Sequence, residues 1–395
     1  MRTEELDLLA QDVVQDPYPT FATWRERGPV HWNANWRGWV VCDYASSKRA
    51  LFDPEFFSVR RLPVGRDPDP AVQRLVTSMG SWLSFREDDA HKDLRRWLGG
   101  YVRNPKKGAV NAVVQTWAQE LAAEVVNSRG EIDFMSAFSE RLSNAVICQI
   151  LGAPREDWEL LSRWAQDLKP VVHSDPLDKE RFVRAAQAFD EILSYTTARI
   201  EVAPRDQESV FAALAQRDDL NSFERAALVT EWIFGGNETT ASALSSAVTC
   251  LANGPIGDED LLDDDVLEQV CEEVLRYEPP LKATARVVVK PTTLGGVEMA
   301  VDDRVLILIA AANRDPVTFA NPDAFDPYRA NNRANLTFGF GAHFCLGAHL
   351  ARLELKHAIR ELASVGLFGR TTVHDVHWTR SVVSRSTDRL GVTVS

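Results

Sequence analysis

The chain has 395 residues, 44 of them basic and 57 acidic, giving a net charge of −13. That balance argues against nucleic-acid binding, which needs concentrated basic charge to neutralise phosphate. The five cysteines (Cys42, Cys148, Cys250, Cys271 and Cys345) are scattered with no C-x-x-C spacing, so neither a disulfide framework nor a zinc site is expected.

The first residues, Met1-Arg2-Thr3-Glu4-Glu5-Leu6-Asp7, are charged and hold no apolar signal core. Nowhere do roughly 18 apolar residues run together, so no membrane-spanning helix is expected and the reading is a soluble, cytoplasmic protein. Val30-His31-Trp32 and Trp39-Val40-Val41-Cys42 flank a polar, glycine-containing turn and predict a β-hairpin. Residues 110–126, 182–200, 222–251 and 266–277 read as helices. In the third of these, Asn221 and Glu224 have the spacing of a capping box, although Ser222 could cap instead. About thirty residues at 1.5 Å each would span roughly 45 Å. Gly235 and Gly236 interrupt its middle, each costing about 1 kcal/mol relative to alanine, so something should offset them. Residues 286–309 form a β-rich stretch punctuated by Gly295-Gly296. The balance is mainly α with small β-sheets.

The most informative stretch is Phe338-Gly339-Phe340-Gly341-Ala342-His343-Phe344-Cys345-Leu346-Gly347. Glycines let backbone approach a flat cofactor closely, and a helix beginning just after Cys345 favours an anionic sulfur. A lone cysteine is ordinarily a small buried hydrophobe. This setting favours a ligand. The stretch resembles the haem-binding signature of the cytochrome P-450 family, F-G-x-G-x-H/R-x-C-x-G, with every fixed position filled. Gly235-Gly236-Asn237-Glu238-Thr239-Thr240 is similar to the family's A/G-G-x-D/E-T-T motif, Glu273-Val274-Leu275-Arg276 to its E-x-x-R helix, and His91 with Arg95 to its H-x-x-x-R helix.

The resemblance runs from about Pro17 to the C-terminus and implies one domain over residues 1–395. It implies haem b between a long central helix and the Cys-bearing loop. Cys345 is the implied axial metal ligand; His91, Arg95, Arg286 and His343 are the implied propionate partners, with Phe338, Gly339 and Gly347 shaping the loop. It implies Thr239 as the hydrogen-bonding partner of bound dioxygen and Glu238 as its source of protons from solvent. The glycine pair would leave room over the haem and permit a local break in the helix. Glu273, Arg276 and the later Arg329 would form a buried structural network without a role in the chemistry.

Family position places Met79, Trp82, Leu83, residues 168–172, Trp232, Gly235, Gly236, Ala283, Thr284, Val383 and Ser384 around a largely apolar substrate pocket. The implied activity is a monooxygenase acting on a small molecule in natural-product biosynthesis or catabolism. Oxidative coupling of aromatic rings without oxygen insertion, and a non-catalytic binding role, are the alternatives. Electrons would come from NAD(P)H through ferredoxin reductase and ferredoxin. The ferredoxin could dock on a basic patch of Arg96, Arg103, Lys106, Lys107, Arg352 and Lys356; scattered solvated charge is the competing reading.

Overall fold

The computed structural model describes residues 6–59, 69–103, 108–128, 130–169, 171, 179–203, 208–252, 254 and 256–395. Its axis is the helix Ser222–Leu251, which starts with a complete capping box. Asn221 Oδ1 accepts from the Glu224 N–H at 3.0 Å, and Glu224 Oε2 accepts from the Asn221 N–H at 3.1 Å. Asn221, not Ser222, is therefore the cap. Small side chains such as Ala241, Ala243, Ser245 and Ala247 are buried along its second half, where they let neighbouring helices come close. Along its whole length its main helical neighbours are Glu140–Leu151, Lys179–Val202 and Ala348–Ser364.

The helix runs unbroken through the glycine pair, so the local break that the pair would permit is not taken. Gly236 has a packing reason: a Cβ there would lie 2.2 Å from Ile147 Cδ1 on the adjacent helix. The helices read at residues 110–126, 182–200 and 266–277 extend to Gly108–Asn127, Lys179–Val202 and Asp264–Tyr277.

A five-stranded sheet takes the order Val30–Asn33, Gly38–Val41, Arg304–Ile307, Thr284–Val288, Phe57–Ser58. Its only parallel pair is Gly38–Val41 with Arg304–Ile307. The β-rich stretch thus begins two residues before Arg286 and ends before Ile309, which opens the short helix Ile309–Ala312. Between its strands, Gly295 and Gly296 turn a small hairpin at φ of 56° and 82°.

A second sheet orders Gly130–Asp133, Thr387–Val394, Thr371–Trp378. The loop joining its two long strands folds inward, where Val383 O accepts from the Lys282 and Ala283 N–H groups at 2.8 and 3.2 Å. No helix among the described residues is long and apolar enough to cross a membrane.

This inward fold buries Lys282 to 1% exposure. Burial pushes its amine down to about 7; the nearby Arg385 adds to the fall and Glu278 opposes it. Above pH 7 the folded state has shed a proton that the unfolded chain keeps to about pH 10.4. Stability therefore rises with pH across that window. Lys282→Met is expected to raise the urea midpoint at pH 7 and to flatten the rise between pH 7 and 10.

Candidate active site

In the glycine-rich loop, Gly339 and Gly341 adopt φ of 71° and 74°. A Cβ at Gly341 would also sit 3.1 Å from Phe52 Cα and 3.3 Å from Leu51 O, so only glycine lets the loop lie against the end of the helix Tyr44–Phe52. The Cys345 N–H donates to Phe338 O at 2.8 Å. The helix Ala348–Ser364 begins directly afterwards, and the Gly347 and Ala348 N–H groups bond the Cys345 sulfur.

Cys345 is solvent-accessible, yet the surrounding protein pushes its thiol up. The two N–H donors, Arg95 and Arg352 pull the other way without reversing the shift. The sulfur is held ready for a cation that would complete its deprotonation. Beside it, the Phe338 ring is 4.5 Å from the Arg352 guanidinium and 6.3 Å from the Phe344 ring.

Four cation-forming side chains converge on the edge of this loop. The His91 and His343 rings stack at 4.7 Å, and Arg95 donates to Phe344 O. Burial, reinforced by His91, Arg286 and Arg95, pushes His343 down to about 3. Burial then Arg95 also lowers His91, whose Nε2 is buried without a hydrogen-bond partner. Arg286 is pushed down to about 10 by burial and makes no ion pair among the described residues. Its Nη1 donates to Ala285 O at 2.9 Å. The nearby Glu87 carboxylate is already engaged by the Ser58 hydroxyl at 2.5 Å and the Val59 N–H at 2.8 Å. A cavity of about 580 Å³ opens here, bounded by His91, Arg95, Gly341 and His343. The buried Arg286 guanidinium, the half-buried Arg95 and the orphaned His91 imidazole nitrogen fit an anionic group such as a pair of haem propionates.

The central helix supplies a second surface. Gly235 is exposed in its middle, and a Cβ there would meet nothing within 4 Å. Gly236, expected in the pocket wall, instead faces Ile147. The Thr239 hydroxyl donates to Gly235 O at 2.7 Å. Glu238, the expected source of protons from solvent, is 6% exposed, and its Oε1 accepts from Ser384 Oγ at 3.1 Å and Ser386 Oγ at 2.9 Å.

Met79, Trp82 and Leu83 are buried near the helix, with the Trp82 ring 5.5 Å from Phe234. Trp232 is partly buried against the same core. Ala283 is buried and Val383 packs against its cluster, while the half-buried Thr284 pairs with Ile307. Leu168 and Val171 are buried; Pro170 and Val172 lie outside the described residues.

One residue escaped the sequence reading. Glu231, one turn before Gly235, accepts from the Leu83 N–H at 2.6 Å, the Ser84 N–H at 2.9 Å and the Ser84 hydroxyl. Burial raises its pKa and those three donors oppose the rise. Its signal was a lone carboxylate within Leu228-Val229-Thr230-Glu231-Trp232-Ile233-Phe234.

The structure brings Glu273, Arg276 and Arg329 together. Arg276 Nε and Nη2 donate to the Glu273 carboxylate at 2.8 and 2.7 Å, and Arg329 Nε lies 3.6 Å from it. The expected basic patch is weakened by pairing. Arg352 meets Glu272 at 2.5 Å, and Lys356 meets Asp264 at 2.6 Å and Glu268 at 3.3 Å. Arg96 remains exposed; the Arg103 side chain, Lys106 and Lys107 lie outside the description.

Comparison with known proteins adds four findings. The family model described as "Cytochrome P-450" matches residues 256–362. The chain is 31% identical to "Cytochrome P-450 144" of Mycobacterium tuberculosis, covering 96% of this chain and 89% of that one. It is 30% identical to "Biotin biosynthesis cytochrome P-450" of Bacillus subtilis (strain 168), covering 89% and 90%. Among solved structures, P-450BioI in complex with an acyl carrier protein ligated to hexadec-9Z-enoic acid superposes with a TM-score of 0.89. That match is 28% identical and covers 98% of this chain and 100% of the other.

Proposed function

The chain belongs to the cytochrome P-450 family of haem-thiolate monooxygenases, and from that premise we propose that Cys345 is the axial ligand of an enzyme that inserts one oxygen atom into a small, largely apolar molecule. The carrying observation is the Cys345 sulfur, which accepts the Gly347 and Ala348 N–H groups beside the cluster of His91, Arg95, Arg286 and His343. Bound there, haem with a thiolate ligand supplies the activation of dioxygen. Arg95 and Arg286 would pair with its propionates, with the His91 and His343 rings as further hydrogen-bond partners, and Phe338 would exclude water from the sulfur side.

On the opposite surface Gly235 leaves room for the substrate. The Thr239 hydroxyl, oriented by Gly235 O, presents its oxygen to the reacting region. Glu238 Oε1 stores the proton that the reaction consumes. Trp82, Leu83, Met79 and Ala283 give the pocket its apolar character. The presence of both acid and alcohol favours oxygen insertion over ring coupling.

NAD(P)H is the electron source, through ferredoxin reductase and ferredoxin. Docking uses Arg96 and its neighbours, since Arg352 and Lys356 are already paired.

Glu238→Gln is expected to slow turnover by about 10²-fold, the scale of a lost general acid. Thr239→Ala is expected to divert electrons from product to peroxide. Both are read as product and peroxide formed per NAD(P)H consumed. Isotopically labelled dioxygen tests the reaction class: one labelled atom in the product supports insertion, and an unlabelled product refutes it.

A further inference from the structure

Glu238 is buried, yet an acid used once per turnover must be reprotonated. The hairpin between the strands Thr371–Trp378 and Thr387–Val394 holds a continuous set of hydroxyls leading outward from it. Ser386 Oγ donates to Glu238 Oε1 at 2.9 Å. Ser386 Oγ is also 3.1 Å from Thr379 Oγ1, which in turn donates to Asp388 Oδ1 at 2.8 Å. Ser386 and Thr379 are buried, whereas Asp388 is exposed. Ser384 Oγ makes a side branch, 2.8 Å from Ser386 Oγ and 3.1 Å from Glu238 Oε1. Every separation is within hydrogen-bond reach, and each intermediate is a hydroxyl able to donate and accept at once. The neighbouring Arg385 offers no such relay, since a guanidinium only donates and holds its protons.

The geometry points to Asp388, Thr379 and Ser386 as the route by which solvent protons reach Glu238. Asp388 takes a proton from water. Thr379 accepts it while passing its own hydroxyl proton to Ser386 Oγ, and Ser386 passes its proton to Glu238 Oε1. The two hydroxyls then rotate back. One proton moves from solvent to carboxylate, and no other bond changes. The route rests on reading Glu238 as the proton store.

A structural cluster and a relay respond differently to substitution. Ser384→Ala and Ser386→Ala each remove one bond to Glu238, but only the second cuts the path. Asp388→Asn removes no contact with Glu238 at all and alters an exposed side chain, so folding is not at risk. The test is time-resolved infrared spectroscopy of the holoenzyme after rapid acidification, following the carboxyl band that Glu238→Gln abolishes.

Protonation is expected to slow by about tenfold or more in Ser386→Ala, Thr379→Val and Asp388→Asn, while Ser384→Ala keeps the parent rate. Wild-type rates in Asp388→Asn and Thr379→Val would overturn the route. So would equal slowing in both serine variants, or the absence of any Glu238 band. Normal turnover in Glu238→Gln would instead sink the proton-store reading and leave the infrared rates to judge the path.

Discussion

Cys345→Ser is expected to erase the strongly red-shifted Soret band of the reduced, carbon-monoxide-treated protein and to take product formation to background. The other four cysteines offer no substitute. Cys42, Cys148 and Cys271 are buried and Cys250 is half-buried, and burial holds every one of these thiols protonated. Only the Cys345 sulfur combines access with two backbone donors from the start of a helix. A serine oxygen fits the same space but gives iron far less electron density, so the protein should fold and bind haem without the activity. Persistence of the red-shifted band would place the thiolate elsewhere and refute the assignment.

The second large effect lies away from the chemistry. Arg276→Leu is expected to destabilise the protein by about 3–5 kcal/mol, because it strands the Glu273 carboxylate in a site with no water. Both side chains are 0% exposed. Arg276 also donates to Asn313 O and Pro322 O at 2.9 Å and to Ala324 O at 3.1 Å. From Asn313 the connection continues to the thiolate loop: its side chain accepts from the Leu336 N–H at 2.7 Å and donates to Thr337 Oγ1 at 2.9 Å. Haem content should therefore fall along with the urea midpoint. Glu273→Ala should be comparably harmful, leaving the guanidinium unpaired. A midpoint shift confined to a few tenths of a kcal/mol would show that the pair contributes little to folding.

Features set by residues close in sequence were legible. The capping box of Asn221 and Glu224 and the pairing of Glu273 with Arg276 both follow from short spacings, because helix geometry fixes them locally. Contacts made across the fold were not. Glu231 reaches Leu83 and Ser84 from 148 and 147 residues away. The carboxylates that neutralise Arg352 and Lys356 lie on the helix Asp264–Tyr277, and no local pattern announces them. Gly235 and Gly236 show the same limit at close range. They look equivalent in sequence, but adjacent helix positions face about 100° apart, so one opens onto space and the other admits Ile147.

The Glu231 carboxylate has a thermodynamic consequence for ligand recognition. By fixing the Leu83 and Ser84 amides to the central helix, it charges the ordering entropy of that wall to folding and removes it from binding. A substrate bound against Trp82, as proposed, would therefore meet that ring already in place. Molecules that match that template associate without a reorganisation penalty, and a molecule that needs the wall to yield must first break three bonds to a carboxylate. Discrimination at this surface is thus weighted toward rejecting misfits on arrival, with little left for adjustment around them afterwards.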